Sequence, residues 1–237
     1  MYLEVCAATY ESAVNAQKAG AYRIELCQNL EVGGLTPSAE LIIKVVTQLD
    51  LPVFVLIRPR SGDFVYTNEE FETMLNSIEM AKSYGCQGIV SGVLNSDNEI
   101  DKVRTKALID KSFPLPFTFH RAFDHAENPL ASIELIKSLG ARRVLTSGQA
   151  VSAELGIDLL NQLKGFDGPD FNVLPGGGIN PSNAQLFKVN GFQEIHASGI
   201  SRDRTPSTPN NEMSLISTKK GHSSFEILSD ILEVIKD

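Results

Sequence analysis

The stretch Ala19-Gly20-Ala21-Tyr22-Arg23-Ile24 ends a helical pattern on a glycine and opens an apolar strand. The chain repeats this punctuation at Tyr84-Gly85-Cys86-Gln87-Gly88-Ile89, Leu139-Gly140-Ala141-Arg142-Arg143-Val144 and Asn190-Gly191-Phe192-Gln193-Glu194-Ile195. Glycine reaches the left-handed conformation that closes a helix, so four echoes of one stop signal mark repeated helix-to-strand joints. Reading outward from them, short β-rich runs alternate with helical stretches from end to end. Strands are expected at 2–6, 22–27, 53–58, 88–92, 116–121, 143–147, 171–175 and 193–197. Helices are expected at about 10–19, 37–49, 68–83, 99–111, 128–139, 152–164, 181–189 and 223–235. Eight such units in 237 residues suit an α/β chain folded as a closed (β/α)8 TIM barrel, because an open doubly wound sheet of this length has fewer strands. The expectation is a single domain over residues 1–237. A long polar loop at 199–222, rich in Ser, Thr, Asn and Pro, follows strand eight and reads equally as a lid or as disordered chain.

Helix starts carry their own signals. Thr36-Pro37, Asn128-Pro129 and Asn180-Pro181 each place a capping side chain before an N1 proline, and Thr67 with Glu70 spells a capping box.

A net charge of -8 with no run of basic residues argues against nucleic acid or an anionic membrane as partner. Glu4 interrupts the first apolar stretch, and no apolar run reaches membrane-spanning length, which predicts a cytoplasmic protein. Three cysteines in a chain of this size predict reduced thiols, with Cys86 packing after a helix end. Homo-oligomers are common among barrels, and the sequence leaves that state open.

A barrel of this type gathers its site at the carboxyl ends of its strands. Leu3-Glu4-Val5-Cys6 and Ile24-Glu25-Leu26-Cys27 place a carboxylate and a thiol on one face of each of the first two strands, since strand side chains alternate. Two carboxylates in apolar strands require partners, and Arg58 is the expected one, forming either an ion-pair layer that plugs the barrel or a substrate- or ion-binding group. His120 and His196 suit acid, base or metal-ligand roles. In an enzyme, Glu4, Glu25 and His120 would move protons. A small anionic ligand would be clamped by Arg58 and Arg60, with Asp63, Ser147 and His196 in the same set, while Gly176, Gly177 and Gly178 would offer backbone N–H groups to phosphate. Asp63 and Asp124 are placed to orient Arg60 and Arg121.

No lysine stands at a strand end, and the H-E-x-x-H, C-x-x-C and G-x-S-x-G patterns are all missing from the chain. Acid–base or metal-assisted chemistry on a small anionic or phosphorylated metabolite is what remains for an enzyme.

The segments L-E-V-C, R-I-E-L-C, G-G-L-T-P-S, I-R-P-R-S-G-D-F-V-Y, F-H-R-A-F-D, R-V-L-T-S-G-Q and G-G-G-I, in that order over about residues 1 to 200, resemble the CutC family. The resemblance implies a TIM barrel, a cytoplasmic location and a role in copper homeostasis through binding of Cu(I). It makes Cys6 and Cys27 the thiols available for copper, and it matches Arg58, Arg60, Asp63, His120, Arg121, Asp124 and Gln149 to family motif positions. After His196 the chain departs from the family pattern, with S-R-D-R-T-P-S-T-P-N-N-E-M-S-L in place of a Met-Arg-Tyr-like stretch. Cu(I) is soft and prefers thiolate, so two cysteines on adjacent strands would hold it in a near-linear array if their heights match.

Overall fold

The computed structural model describes residues 1–200 and 221–236. Its elements run β1 (Tyr2–Ala7), α1 (Tyr10–Ala19), β2 (Arg23–Leu26), α2 (Ala39–Gln48), β3 (Val53–Leu56), α3 (Asn68–Ser83), β4 (Gly88–Ser91), α4 (Lys102–Ser112), β5 (Phe117–Phe119), α5 (Pro129–Ser138), β6 (Arg143–Thr146), α6 (Ile157–Leu163), β7 (Asn172–Pro175), α7 (Ala184–Val189), β8 (Glu194–Ala197) and α8 (Phe225–Ile235). All ladders are parallel, and the strand order is β7-β6-β5-β4-β3-β2-β1-β8. A parallel bridge between Gly176 and His196 brings β7 to β8 and nearly closes the barrel. The fold is therefore the expected (β/α)8 barrel. Of the expected loop 199–222, residues 201–220 lie outside the described residues. No helix among the described residues is long and apolar enough to cross a membrane.

Caps explain most helix starts. Thr67 and Glu70 form the expected capping box, and Asn128 accepts from Ala131 N ahead of Pro129. Two starts differ. Thr36 Oγ1 accepts from Arg58 N instead, and Ser38 caps α2. Asn180 Oδ1 closes a turn onto Ser182, which holds Pro181 outside α7. In both places a polar side chain found a closer backbone donor than the helix offered.

Alternation divides each strand between two cores. Leu3, Val5, Ile24, Val53, Val55, Ile89, Phe117, Phe119, Val144, Val173 and Ile195 face outward into the layer beneath the helices. Cys6, Cys27, Phe54, Leu56 and Val90 pack together inside the barrel. The inward residues stack in layers drawn from alternate strands, as closure with stagger requires. Arg23, Gly88, Arg143 and Glu194 begin the four even strands and form the lowest layer. Gly88 belongs there for space: a Cβ on it would run into the Phe54 ring. The freed room lets Phe54 lie under two guanidiniums, with Arg143 4.6 Å and Arg23 5.3 Å from the ring centre.

Candidate functional site

β1 and β2 are staggered by two residues relative to their matching motifs, so Glu4 stands opposite Arg23 and Cys6 opposite Glu25. Stagger of this kind is what tilts barrel strands. It gives Glu4 a partner that motif matching did not anticipate. Arg23 Nε donates to Glu4, and a terminal nitrogen of the same guanidinium donates to Glu194. The other oxygen of Glu4 lies 2.8 Å from His196 Nδ1. Burial alone would raise the Glu4 pKa, but Arg23 and then His196 outweigh it and hold the carboxyl well below the usual range. His196 is driven the other way: burial disfavours its charge, yet Cys6, Glu4 and Glu25 together raise it well above an ordinary imidazole.

Arg58 is therefore not the partner of Glu4 or Glu25. It follows the end of β3, above their level, and its terminal nitrogens donate to the backbone oxygens of Val32 (2.9 Å), Gly34 (3.0 Å) and Gly62 (2.8 Å). Glu25 keeps Oε2 buried without a hydrogen bond among the described residues, 3.9 Å from His196 Nδ1. Burial pushes its carboxyl up to about 7, with His196 pulling against that and Glu4 adding to it.

One layer higher, the two thiols meet. Cys6 Sγ and Cys27 Sγ are 3.7 Å apart, both buried, in a hydrogen bond that either sulfur can donate. The Cys27 thiol and burial raise the pKa of Cys6 well above normal, against a hydrogen bond from His196. The same stagger that offset the carboxylates set Cys27 one step above Cys6 without separating them.

Above the thiols opens a cavity of about 600 Å³ whose wall includes Cys6, Glu25, Arg58, His120, Arg121 and His196. His120 Nδ1 accepts from Ala122 N at 3.2 Å, and its Nε2 has no hydrogen bond among the described residues. Burial and then the charge of Arg58 push its pKa down to about 3. The ring is neutral at ordinary pH, and with Nδ1 accepting, Nε2 carries the proton.

Of the residues expected to hold an anion, the structure brings some to this cavity and not others. Gly177, Gly178, Arg58 and His196 line it. Arg60 turns outward, bonded to Glu70 Oε1 (2.7 Å) and Asp63 Oδ1 (2.8 Å), so neither Arg60 nor Asp63 faces the cavity. Ser147 is fully buried and occupied by Asp124, Arg121 and the oxygen of Ala150. Gly176 N is used in the ladder to Thr146 O. The expected orienting pair of Asp124 and Arg121 does form, at 2.7 Å. Arg23 and Arg143 escaped sequence reasoning, although both occupy the place just before the first apolar strand residue in the helix-stop echoes. Glu194 shares that place, and Gly88 vacates it.

Among the described residues, the ligand atoms of Glu4, Glu25 and His196 lie within 4.8 Å of one another. Arg23 and His196 both bond Glu4, so in this structure the three form a buried charge network.

The profile of the CutC family matches residues 1–201. The copper homeostasis protein cutC homolog of Mus musculus is 42% identical over 98% of this chain and 86% of its own length. The homolog of Homo sapiens is 46% identical over 84% of this chain and 73% of its own length. Among solved structures, CutC from Streptococcus agalactiae superposes with a TM-score of 0.78 at 31% identity, covering 84% of this chain and 98% of that one. N-(5'-phosphoribosyl)anthranilate isomerase from Pyrococcus furiosus, at 16% identity and a TM-score of 0.60 over 100% of this chain and 98% of that one, shares the barrel fold.

Proposed function

The chain belongs to the CutC family, and from that premise we propose that it takes part in copper homeostasis by binding one Cu(I) ion between Cys6 and Cys27, in the cytoplasm. The observation that carries this reading is the pairing of two buried, reduced sulfurs at 3.7 Å beside a cavity. Thiolate is the ligand Cu(I) prefers, and a buried site shields the ion from water and oxidants.

The distance also says what binding requires. With metal–sulfur bonds of about 2.3 Å, sulfurs 3.7 Å apart subtend roughly 107° at a shared ion, which is far from linear. A linear pair would stand about 4.6 Å apart by the same bond length. Cys6 borders the cavity, so rotation of its side chain toward that space supplies the difference of roughly 0.9 Å. The raised Cys6 pKa means that the thiol is protonated before copper arrives, so its ligation as a thiolate releases that proton.

Competition against a chromogenic Cu(I) chelator tests the reading. Wild-type protein is expected to withdraw one Cu(I) per chain with submicromolar affinity, and Cys27→Ser to lose that capacity. Equal affinity in the two proteins would overturn it.

A further inference from the structure

Of the thiol pair, Cys6 alone borders the cavity, at one corner. An ion fills a small fraction of about 600 Å³, a volume within the range of pockets for small organic molecules. Apolar side chains on the wall, among them Leu56, Phe64, Leu145, Ile179 and Ile227, suit a carbon skeleton better than water.

Three residues on the same wall each bury a polar atom that lacks a hydrogen bond among the described residues: Glu25 Oε2, His120 Nε2 and Arg58 Nε. The residues are 4%, 5% and 5% exposed. Burying a polar atom without a hydrogen bond costs free energy, so such atoms gathered on one cavity mark where a ligand completes the hydrogen bonding. The first two are complementary in character. His120 Nε2 is a donor, because Nδ1 already accepts from Ala122 N. Glu25 Oε2 accepts.

Two guanidiniums stand on the same wall. Arg58 borders the cavity in the interior, and Arg121 borders it at the mouth. Arg121 uses Nε on Asp124 and Nη2 on Ser147, which leaves Nη1 beside Gly177, 3.4 Å from where a Cβ on that glycine would stand. Gly177 and Gly178 have φ of 116° and 77°, conformations open to glycine that keep this edge of the mouth free of side chains.

We propose that the cavity is a binding site for a small hydroxylated organic anion, its anionic group held on the side of Arg58 and Arg121 and its hydroxyls exchanging hydrogen bonds with His120 and Glu25. A hydroxyl both accepts and donates, which is what this donor and acceptor pair requires. The anionic group is a carboxylate or a phosphate ester, chemistries that guanidinium groups recognise alike. The site is additional to the copper reading and does not depend on it.

The test titrates the full-length protein, with copper removed by a chelator, using D-glycerate in one arm and sn-glycerol 3-phosphate in the other. Propionate and inorganic phosphate serve as comparators, and binding is read by saturation-transfer NMR and calorimetry. At least one probe is expected to bind saturably and more tightly than its comparator, and the responding arm identifies the anionic group. His120→Asn and Arg121→Met should each weaken that probe by about tenfold or more. Arg121 sits at the mouth, so its variant reports even where the His120 substitution fails to fold. Saturable binding in neither arm, binding no tighter than propionate or inorganic phosphate, or equal affinity in the folded variants would overturn the proposal. Because copper is absent throughout, failure here leaves the thiol reading intact, and failure of the chelator competition leaves this one intact.

Discussion

Glu4 on β1 and Arg23 on β2 stand opposite each other in the ladder and form an ion pair inside the barrel, almost fully removed from water. The same guanidinium reaches Glu194 on β8, so one cation ties the first, second and last strands together. Two carboxylates share one guanidinium here, and His196 supplies the second positive charge. The network also holds the His196 imidazole in place, 2.8 Å from Glu4.

Removal of the central cation should be expensive. Arg23→Met leaves Glu4 and Glu194 buried without their partner, and breaking a buried pair on one side costs about 3–5 kcal/mol. Urea unfolding followed by circular dichroism should show a loss of that size. A loss below about 1 kcal/mol, typical of a surface pair, would contradict the buried network.

Gly88→Ala tests the interior layering. The added methyl group meets the Phe54 ring, and overpacking of this kind costs about 1–3 kcal/mol. Thermal unfolding should place the variant below wild type, and pairing Gly88→Ala with Phe54→Leu should recover part of the loss. An additive double variant would mean the two residues do not touch.

His120 gives a pH dependence of fixed sign. Its pKa is about 6.5 in an unfolded chain and about 3 in the fold. Between these values the unfolded chain binds a proton that the folded protein refuses, so stability falls as pH falls, by about 1.4 kcal/mol per unit. From pH 7 to pH 5, wild type should lose about 2 kcal/mol more than His120→Asn in urea unfolding. Parallel losses in the two proteins would show the ring to be exposed.

Asp124 organises the turn after β6. It accepts from Thr146 Oγ1 (2.5 Å), Ser147 N (3.0 Å) and Arg121 Nε (2.7 Å). Asp124→Ala strands these donors, two of them on fully buried residues, and should cost at least about 2 kcal/mol. Amide hydrogen exchange should quicken at residues 146–149 and stay unchanged in β1 and β2. Uniform quickening over the whole barrel would contradict a local role.

The barrel was legible because its evidence is local. Glycine stops, capped starts and alternating strands repeat along the chain, and each carries its own reading. Cys6 and Cys27 were legible as a pair for the same reason, as matching segments of adjacent strands. What the sequence hid was relative height. A stagger of two residues, set by closure of the whole ring, gave Glu4 to Arg23 and left Arg58 to carbonyl oxygens. Arg60 and Ser147 have the composition of ligand-binding residues, but loop hydrogen bonds that no short motif encodes turned them toward Glu70 and Asp124. The clue to Arg23 lay in the opening echoes, where an inward-facing place before each even strand holds Arg23, Gly88, Arg143 and Glu194 in turn.

The central claim is that copper sits between two particular sulfurs, and X-ray absorption at the copper edge tests it most directly. Protein loaded with one equivalent of Cu(I) should show two sulfur neighbours, falling to one in Cys6→Ser and in Cys27→Ser. A first shell of nitrogen and oxygen alone, or a sulfur count that neither substitution changes, would contradict it.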